Sequence, residues 1–375
     1  SLEFAAHLGR ARLADRGIDT ALLDAGVLGM TVPQEGAFYG LPWTAALMGA
    51  PHLAGPTVSQ ACATGARIVD LAAREVAAGQ ATAVLALAAD RTSNSPHIYY
   101  PAPDAPGGVG RTEDWVLANF NRDPWAGVAM VATAETVAKR FEVSRGAQDD
   151  VLIMRQEQYQ AALADDRAFQ RRFMALPCSV PDARLRKTRS VLAGDEGVYP
   201  SDADKVRALK PVSEGGTVTL ATQTHPADGH AGLIVCDRER AAMLATDPAI
   251  DVNILGVGMA REDAGHMPAA PVPASRRALA AADLDIGDVA AVTSHNPFAV
   301  NDVIFAQETG FPLARMNRFG CSLIWGHPQG PTGVRAIIEL IETLALDGGG
   351  YGLFQGCAGG DSAMAVVVEV GDGDR

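Results

Sequence analysis

Two stretches far apart in the chain, Gly65-Ala66-Arg67 and Gly333-Val334-Arg335, each open a long apolar helical pattern, and they lie 268 positions apart. The first pattern runs through Ala78 and turns Ala66, Ala72, Ala73, Ala77 and Ala78 outward with few long charged groups, which predicts a helix packed in the middle of the molecule. Carrying the same offset forward lays the apolar run 83–88 on 351–356. Two similar α/β halves set face to face would bury both helices between their sheets, so the repeat predicts a layered fold.

The rest of the chain fits around that repeat. A β-rich piece (57–60) meets a tight turn (61–65) and then the first helix, which Gly79 closes as a C-cap; residues 83–89 follow as an unbroken apolar strand buried on both faces. From 90 to about 127 the chain turns to Pro, Gly, Asn and Tyr, an irregular excursion of the kind that is usually functional or disordered. Helical patterns come next at 128–141 and 144–163, the second with Ser144 as N-cap, and then a polar stretch at 184–210. Strands are expected again at 231–236, 252–258 and 289–294, with a helix at 273–282. The reading divides the chain into the first part of an N-terminal half (1–91), an inserted loop domain (92–224), a return strand of that half (225–247) and a C-terminal half (248–375). The chain opens on Ser1 directly into a helical pattern at 2–13, which leaves room for a preceding strand.

Composition narrows the class. With 48% hydrophobic and 20% charged residues the chain reads as globular and neither disordered nor fibrous. The apolar runs 81–89 and 363–368 are far below the ~20 residues of a membrane span. A net charge of -13 argues against a nucleic-acid footprint, so any anionic ligand must be held locally. Five cysteines at wide spacing predict no disulfide framework and a reducing, cytoplasmic setting; without Cys-x-x-Cys or His-x-x-x-His, no metal site is expected.

Three positions are candidates for chemistry. Cys62 stands where a strand joins the N-terminus of a buried helix, a place that favours a negative sulfur and predicts a lowered thiol pKa. A small buried thiol used only for packing is the commoner fate of a free cysteine. His327 is fixed between Gly326 and Pro328 just ahead of the second buried helix, and Cys357 precedes Ala358-Gly359-Gly360 at the end of the last internal strand, where glycine N–H groups can approach a ligand.

These residues resemble the thiolase family, the acetyl-CoA acetyltransferases and 3-ketoacyl-CoA thiolases, over nearly the whole chain. The motifs that carry the resemblance are Ser59-Gln60-Ala61-Cys62-Ala63-Thr64-Gly65, Thr133-Ala134-Glu135-Thr136-Val137-Ala138, Gly326-His327-Pro328 and Cys357-Ala358-Gly359-Gly360. It implies a five-layered α-β-α-β-α fold, a loop domain covering the pantetheine of coenzyme A, no permanently bound cofactor, acyl-CoA and CoA as substrates, and a homodimer or homotetramer. It also implies roles. His327 takes the proton of Cys62, whose thiolate accepts an acyl group; Cys357 serves as acid and base; and the N–H groups of Cys62 and Gly359 form an oxyanion hole.

The chain also departs from the family. The loop that reads Asn-Glu-Ala-Phe in the best known members is His295-Asn296-Pro297-Phe298 here, so a histidine whose charge depends on pH stands in for an amide. The resemblance places Met130, Thr224, Met267 and Phe298 at the pantetheine, and Lys205, Arg207 and Lys210 are candidates for the CoA phosphates. Cys178, Cys236 and Cys321 are expected as buried packing residues, and His97, His225, His230 and His266 as structural or surface residues. The rival readings are a ketoacyl-synthase-type condensing enzyme, disfavoured by the second cysteine, and a degenerate CoA-binding subunit that needs a partner protein.

Overall fold

The structure is a computed structural model and describes residues 1–371. The first half is built from α1 (Leu2–Asp15), β1 (Ala25–Gly29), α2 (Gly40–Met48), β2 (Thr57–Val58), α3 (Thr64–Ala77) and β3 (Ala83–Arg91). An excursion then carries a hairpin of β4 (His97–Tyr100) and β5 (Arg111–Asp114), helices α4 (Leu117–Asn121), α5 (Met130–Arg140) and α6 (Arg145–Arg171), a second hairpin of β6 (Cys178–Pro181) and β7 (Thr188–Leu192), and α7 (Ala203–Ala208). The chain returns through β8 (Asp228–Cys236) and α8 (Arg238–Leu244). The second half comprises β9 (Asp251–Arg261), α9 (Pro271–Ala281), β10 (Val289–His295), α10 (Ala299–Thr309), α11 (Ser322–Trp325), α12 (Gly330–Leu346), β11 (Gly350–Ala358) and β12 (Ser362–Gly371).

Two four-stranded sheets form, in the orders β2-β1-β3-β8 and β10-β11-β12-β9. The inner strands show why these are layers. On β3, Ala83, Leu85, Leu87 and Ala89 join the core made with α1 and α2, while Val84, Ala86 and Ala88 join Ile68 of α3 and Val334 of α12. On β11, Leu353 and Cys357 face the core of α9 and α10, whereas Phe354 and Ala358 pack with α3 and α12. Alternate residues point to opposite faces, so each strand is covered twice. The result is helix, sheet, helix, sheet, helix, with α3 and α12 as the shared middle.

The repeated glycines set how closely that middle layer packs. A Cβ on Gly65 would lie 2.6 Å from the Gly330 carbonyl oxygen and 2.7 Å from Val334 N, and one on Gly333 would lie 3.0 Å from Ala66 N. The two helices therefore start backbone against backbone, and the loops that precede them are brought together.

The excursion leaves at Arg91 and returns at Asp228, which are register partners in the β3–β8 ladder. It is tied to the second half by a buried pair, Arg155 of α6 on Asp302 of α10 (2.9 Å), and a half-buried one, Asp195 on Arg335 of α12 (2.6 Å), whose guanidinium also lies over the Trp325 ring. Ser144 caps α6 through Ala147 N–H, and the regular helix stops where Ala164–Arg167 leave helical angles.

Several expectations shift. The first strand of the motif region is only Thr57–Val58, because the backbone at Ala61 turns left-handed (φ 45°) and takes residues 59–63 out of the ladder. The buried residues of α3 end at Ala72, so its last turn meets solvent instead of lying fully between the sheets. The helix expected at 273–282 starts earlier, at Pro271, since proline suits a first turn. Cys178 and Cys236 are half-buried and not core residues, because they sit on edge strands; Cys321 is buried. No helix among the described residues is long and apolar enough to cross a membrane.

Candidate active site

Four loops meet between the sheets. Cys62 lies in the turn ahead of α3, which Thr64 closes by donating its hydroxyl to the Ala61 carbonyl (2.7 Å) while accepting from Gln60 N–H (2.7 Å). Its own N–H and that of Gly359 point at the sulfur, and Gln329 Oε1 accepts its S–H at 3.4 Å. Burial nevertheless pushes the thiol up to about 11, with the Asp90 carboxylate adding to the rise. The lowered pKa expected from the helix start is thus corrected: α3 begins two residues beyond Cys62, and desolvation outweighs the N–H groups. A thiolate here has to be made by handing its proton to a base inside the site.

Two imidazoles are in place to take it. The His327 N–H donates to the His225 carbonyl (2.8 Å), its Nδ1 pairs with Thr332 Oγ1 (2.8 Å), and burial pushes its pKa down to about 3. His295, the last residue of β10, pairs Nδ1 with Ser322 Oγ (2.9 Å), and burial with the neighbouring His327 holds it well below the usual histidine range. Both rings are therefore neutral at pH 7, and both Nε2 atoms are buried without a partner. The rings stack at 4.0 Å and 21°, and one nitrogen of each lies with the Cys62 sulfur in a group whose atoms are all within 4.8 Å of one another. Three groups able to give or take a proton thus stand at one spot.

Cys357 ends β11, fully buried, with Asn301 Nδ2 donating to its sulfur at 3.3 Å. Burial pushes this thiol up strongly, and the charges of Cys62 and Asp302 push the same way. Its neighbour Gly356 pairs with His295, and a Cβ there would lie 2.9 Å from the His295 Cβ, so only glycine lets the imidazole sit against the strand.

A polar layer beneath holds these loops. The buried Asp302 accepts from Arg155 Nε (2.9 Å), Asn296 Nδ2 (2.7 Å) and Ser294 Oγ (2.9 Å), and Ser322 connects Asn296 to His295. Asp90, at the end of β3, accepts from Thr31 N–H, Val32 N–H and Gly330 N–H and so fixes the start of α12; burial raises its pKa to about 6. The segment after the excursion stitches the two histidine loops together, with Ala299 N–H on Thr222 O (2.9 Å), Thr224 N–H on Pro297 O (2.7 Å) and a bridge between Pro226 and His327.

Of the positions expected to touch pantetheine, Met130 is half-buried, while Met267 and Phe298 are buried in the core of the second half. Thr224 is half-buried and donates its hydroxyl to the Ser322 carbonyl (2.6 Å). Lys205, Arg207 and Lys210 are exposed, and Arg207 pairs with Asp150 (2.6 Å). His97 pairs with Asp114, His266 with the Ala264 carbonyl, and His230 meets Phe4 edge-on. Gln329, Thr332, Asn301, Ser322 and Asp90 escaped the sequence reading. One signal was there: in Ala299-Val300-Asn301-Asp302-Val303 two polar groups interrupt the apolar start of a helix whose first two turns are buried.

Comparison with known proteins agrees with this geometry. The chain is 29% identical over 331 residues to the acetyl-CoA acetyltransferase of Escherichia coli (strain K12), covering 85% of this chain and 80% of that protein. It is 29% identical over 341 residues to the 3-ketoacyl-CoA thiolase of Bacillus subtilis (strain 168), covering 89% and 82%. Human mitochondrial 3-ketoacyl-CoA thiolase superposes with a TM-score of 0.88 at 24% identity, over 98% of this chain and 91% of that one. The Bacillus anthracis acetyl-CoA acetyltransferase superposes with a TM-score of 0.88 at 23% identity, over 98% and 92%. The family models for the thiolase N-terminal domain, over residues 1–239, and the thiolase C-terminal domain, over 249–370, leave little of the chain unmatched, and it belongs to the thiolase family.

Proposed function

We propose that the protein is an acyltransferase that makes or cleaves 3-ketoacyl-CoA through an acyl-cysteine on Cys62. The observation that carries the reading is the meeting of the Cys62 sulfur with a nitrogen each of His295 and His327 within 4.8 Å, although the three are separated by most of the sequence. In the first half-reaction His327 Nε2, unpartnered at rest, takes the Cys62 proton as the sulfur attacks the thioester carbonyl. The N–H groups of Cys62 and Gly359, which point at the sulfur at rest, are the donors we assign to the tetrahedral oxygen that develops beside it. The departing CoA thiolate takes the proton of Cys357. In the second half-reaction the Cys357 thiolate removes a proton from Cα of acetyl-CoA, and the enolate oxygen is met by the imidazoles of His295 and His327. The carbanion then attacks the acyl group on Cys62, whose sulfur leaves and recovers its proton from His327.

Segment 92–224 is read as the cover over pantetheine, with Met130 and Thr224 on it, Met267 and Phe298 on the second half facing it, and Lys205, Arg207 and Lys210 as phosphate candidates. A solved human mitochondrial 3-ketoacyl-CoA thiolase in complex with CoA shares this fold with a TM-score of 0.87, which supports CoA as the carrier. A homodimer or homotetramer in the cytoplasm is the assembly and setting we infer. Turnover of acetoacetyl-CoA plus CoA by the isolated chain is the test. Activity with CoA thioesters and none with acyl-carrier-protein thioesters is expected. The reverse preference would favour a ketoacyl-synthase type, and CoA binding without turnover until a second protein is added would favour the degenerate subunit.

A further inference from the structure

Each cysteine of the site has a carboxamide beside it, and the two carboxamides face their sulfurs with opposite ends. Gln329 turns Oε1 to Cys62. Asn301 turns Nδ2 to Cys357 at 3.3 Å, and its orientation is fixed twice over: Oδ1 accepts the Phe298 N–H at 3.2 Å, and Nδ2 also donates to the Pro268 carbonyl at 3.3 Å. Flipping the amide would set its NH2 against an N–H and its oxygen against a carbonyl. Asn301 is 2% exposed among the apolar residues that open α10, a place where an amide is costly unless its bonds are made.

We propose that Asn301 is a positioning residue for proton transfer at the second cysteine, its Nδ2–H aiming the Cys357 sulfur and favouring its thiolate over its thiol. This rests on the reading of Cys357 as acid and base and adds the group that makes it one. A donated N–H supports a negative sulfur far more than a neutral one, so its effect differs between the two protonation states. The backbone N–H of Cys357 also supports a negative sulfur, and the remaining groups facing it oppose ionisation or are uncharged at rest. Cys62 on the turn before α3 and Asp302 next on α10 repel a thiolate. His295 on β10 and His327 before α12 are neutral at rest through burial, and His327 holds the Cys62 proton once the acyl group is in place. Asp361, at the turn from β11 to β12, is buried with Oδ2 accepting the Gly265 N–H, and His266, just ahead of the segment that packs on β11, is half-buried. The step served conserves charge: the Cα–H bond of acetyl-CoA breaks, its proton forms S–H on Cys357, and the electron pair passes into the enolate. Cys357 had already given its own thiol proton to the departing CoA.

The test separates the half-reactions in the full chain. Washout of deuterium from trideuterioacetyl-CoA into water reports proton removal, and acylation of Cys62, followed by intact mass, reports the first half. Asn301→Leu removes the donor; Asn301→Asp keeps the Oδ1 acceptor for the Phe298 N–H and so preserves the helix start if the leucine variant folds poorly. In either, exchange is expected to fall about tenfold or more at each pH below its midpoint, matching a midpoint raised by about one unit, while acylation, where water can also protonate the departing CoA thiolate, falls clearly less. Asn301→Gln is expected to recover part of the exchange. Unchanged exchange in both variants, or equal losses of exchange and acylation, would overturn the proposal. Cys357→Ala guards the reading beneath it: exchange that survives there refutes the role of Cys357 itself, whereas exchange lost there but intact in both Asn301 variants refutes only the role of Asn301.

Discussion

At the scale of single residues, the site is a problem of making a thiolate where burial resists one. Cys62 is raised to about 11 and His327 lowered to about 3, so at rest both are neutral, and the ion pair forms only when a thioester arrives to accept the charge. His295 gives a test that is independent of turnover. Its pKa in the folded state is far below the ordinary 6.5, so the unfolded chain binds an additional proton below that value, and stability falls as pH drops through it. Each unit below 6.5 costs about 1.4 kcal/mol. His295→Asn removes that cost. Urea unfolding at pH 7.5 and pH 5.5 is expected to show the variant gaining about 1.4 kcal/mol on the wild type between the two values, and a difference that does not change with pH would mean that the imidazole is not buried neutral. Cys62, His327 and Cys357 could be singled out in the sequence because His327 and Cys357 stand beside glycine or proline and Cys62 at a strand-to-helix turn. Gln329 could not, since its contact with Cys62 crosses between the halves, nor could Asn301, whose partner Cys357 lies far along the chain on another element.

At the scale of elements, the repeat was readable because a helix buried on most sides has to be built from small and apolar residues. What the offset of Gly65 and Gly333 could not tell was that the two glycines touch. With a Cβ on Gly65 placed 2.6 Å from a carbonyl oxygen, Gly65→Ala forces α3 and α12 apart. Overpacking of this kind costs about 1–3 kcal/mol, and the loops of Cys62 and His327 separate with the helices. The variant is expected to show a lower Tm and a loss of Cys62 acylation greater than its loss of stability explains. A Gly65→Ala protein with wild-type Tm and acylation rate would show that the close approach does not position the site. The irregular segment after β3 was visible as a break in composition, but its two hairpins were not, because short strands at the surface lack an apolar face to mark their period.

At the scale of the whole molecule, the excursion is fastened to the second half by ion pairs that no sequence pattern announces. Asp195 meets the half-buried Arg335, which also pairs with Glu339, so Asp195→Ala takes away one of the two carboxylates on that guanidinium. Losing a hydrogen bond to a charged group costs about 1.5–3 kcal/mol, so denaturant unfolding of this variant is expected at a lower midpoint, and an unshifted midpoint would mean the pair does not hold the excursion in place. The same pair places the excursion next to α12, one turn beyond Thr332 and the His327 loop. The account as a whole stands on Cys62 carrying the acyl group while its two distant partners serve it. Intact-mass and peptide-mapping spectra after mixing with acetyl-CoA test this directly. One acetyl group on Cys62 is expected, formed slowly in His327→Ala and accumulating in Cys357→Ala, where the second half-reaction is blocked. An active enzyme that carries no acetyl group on Cys62, or a Cys62→Ala variant that retains full turnover, would contradict it.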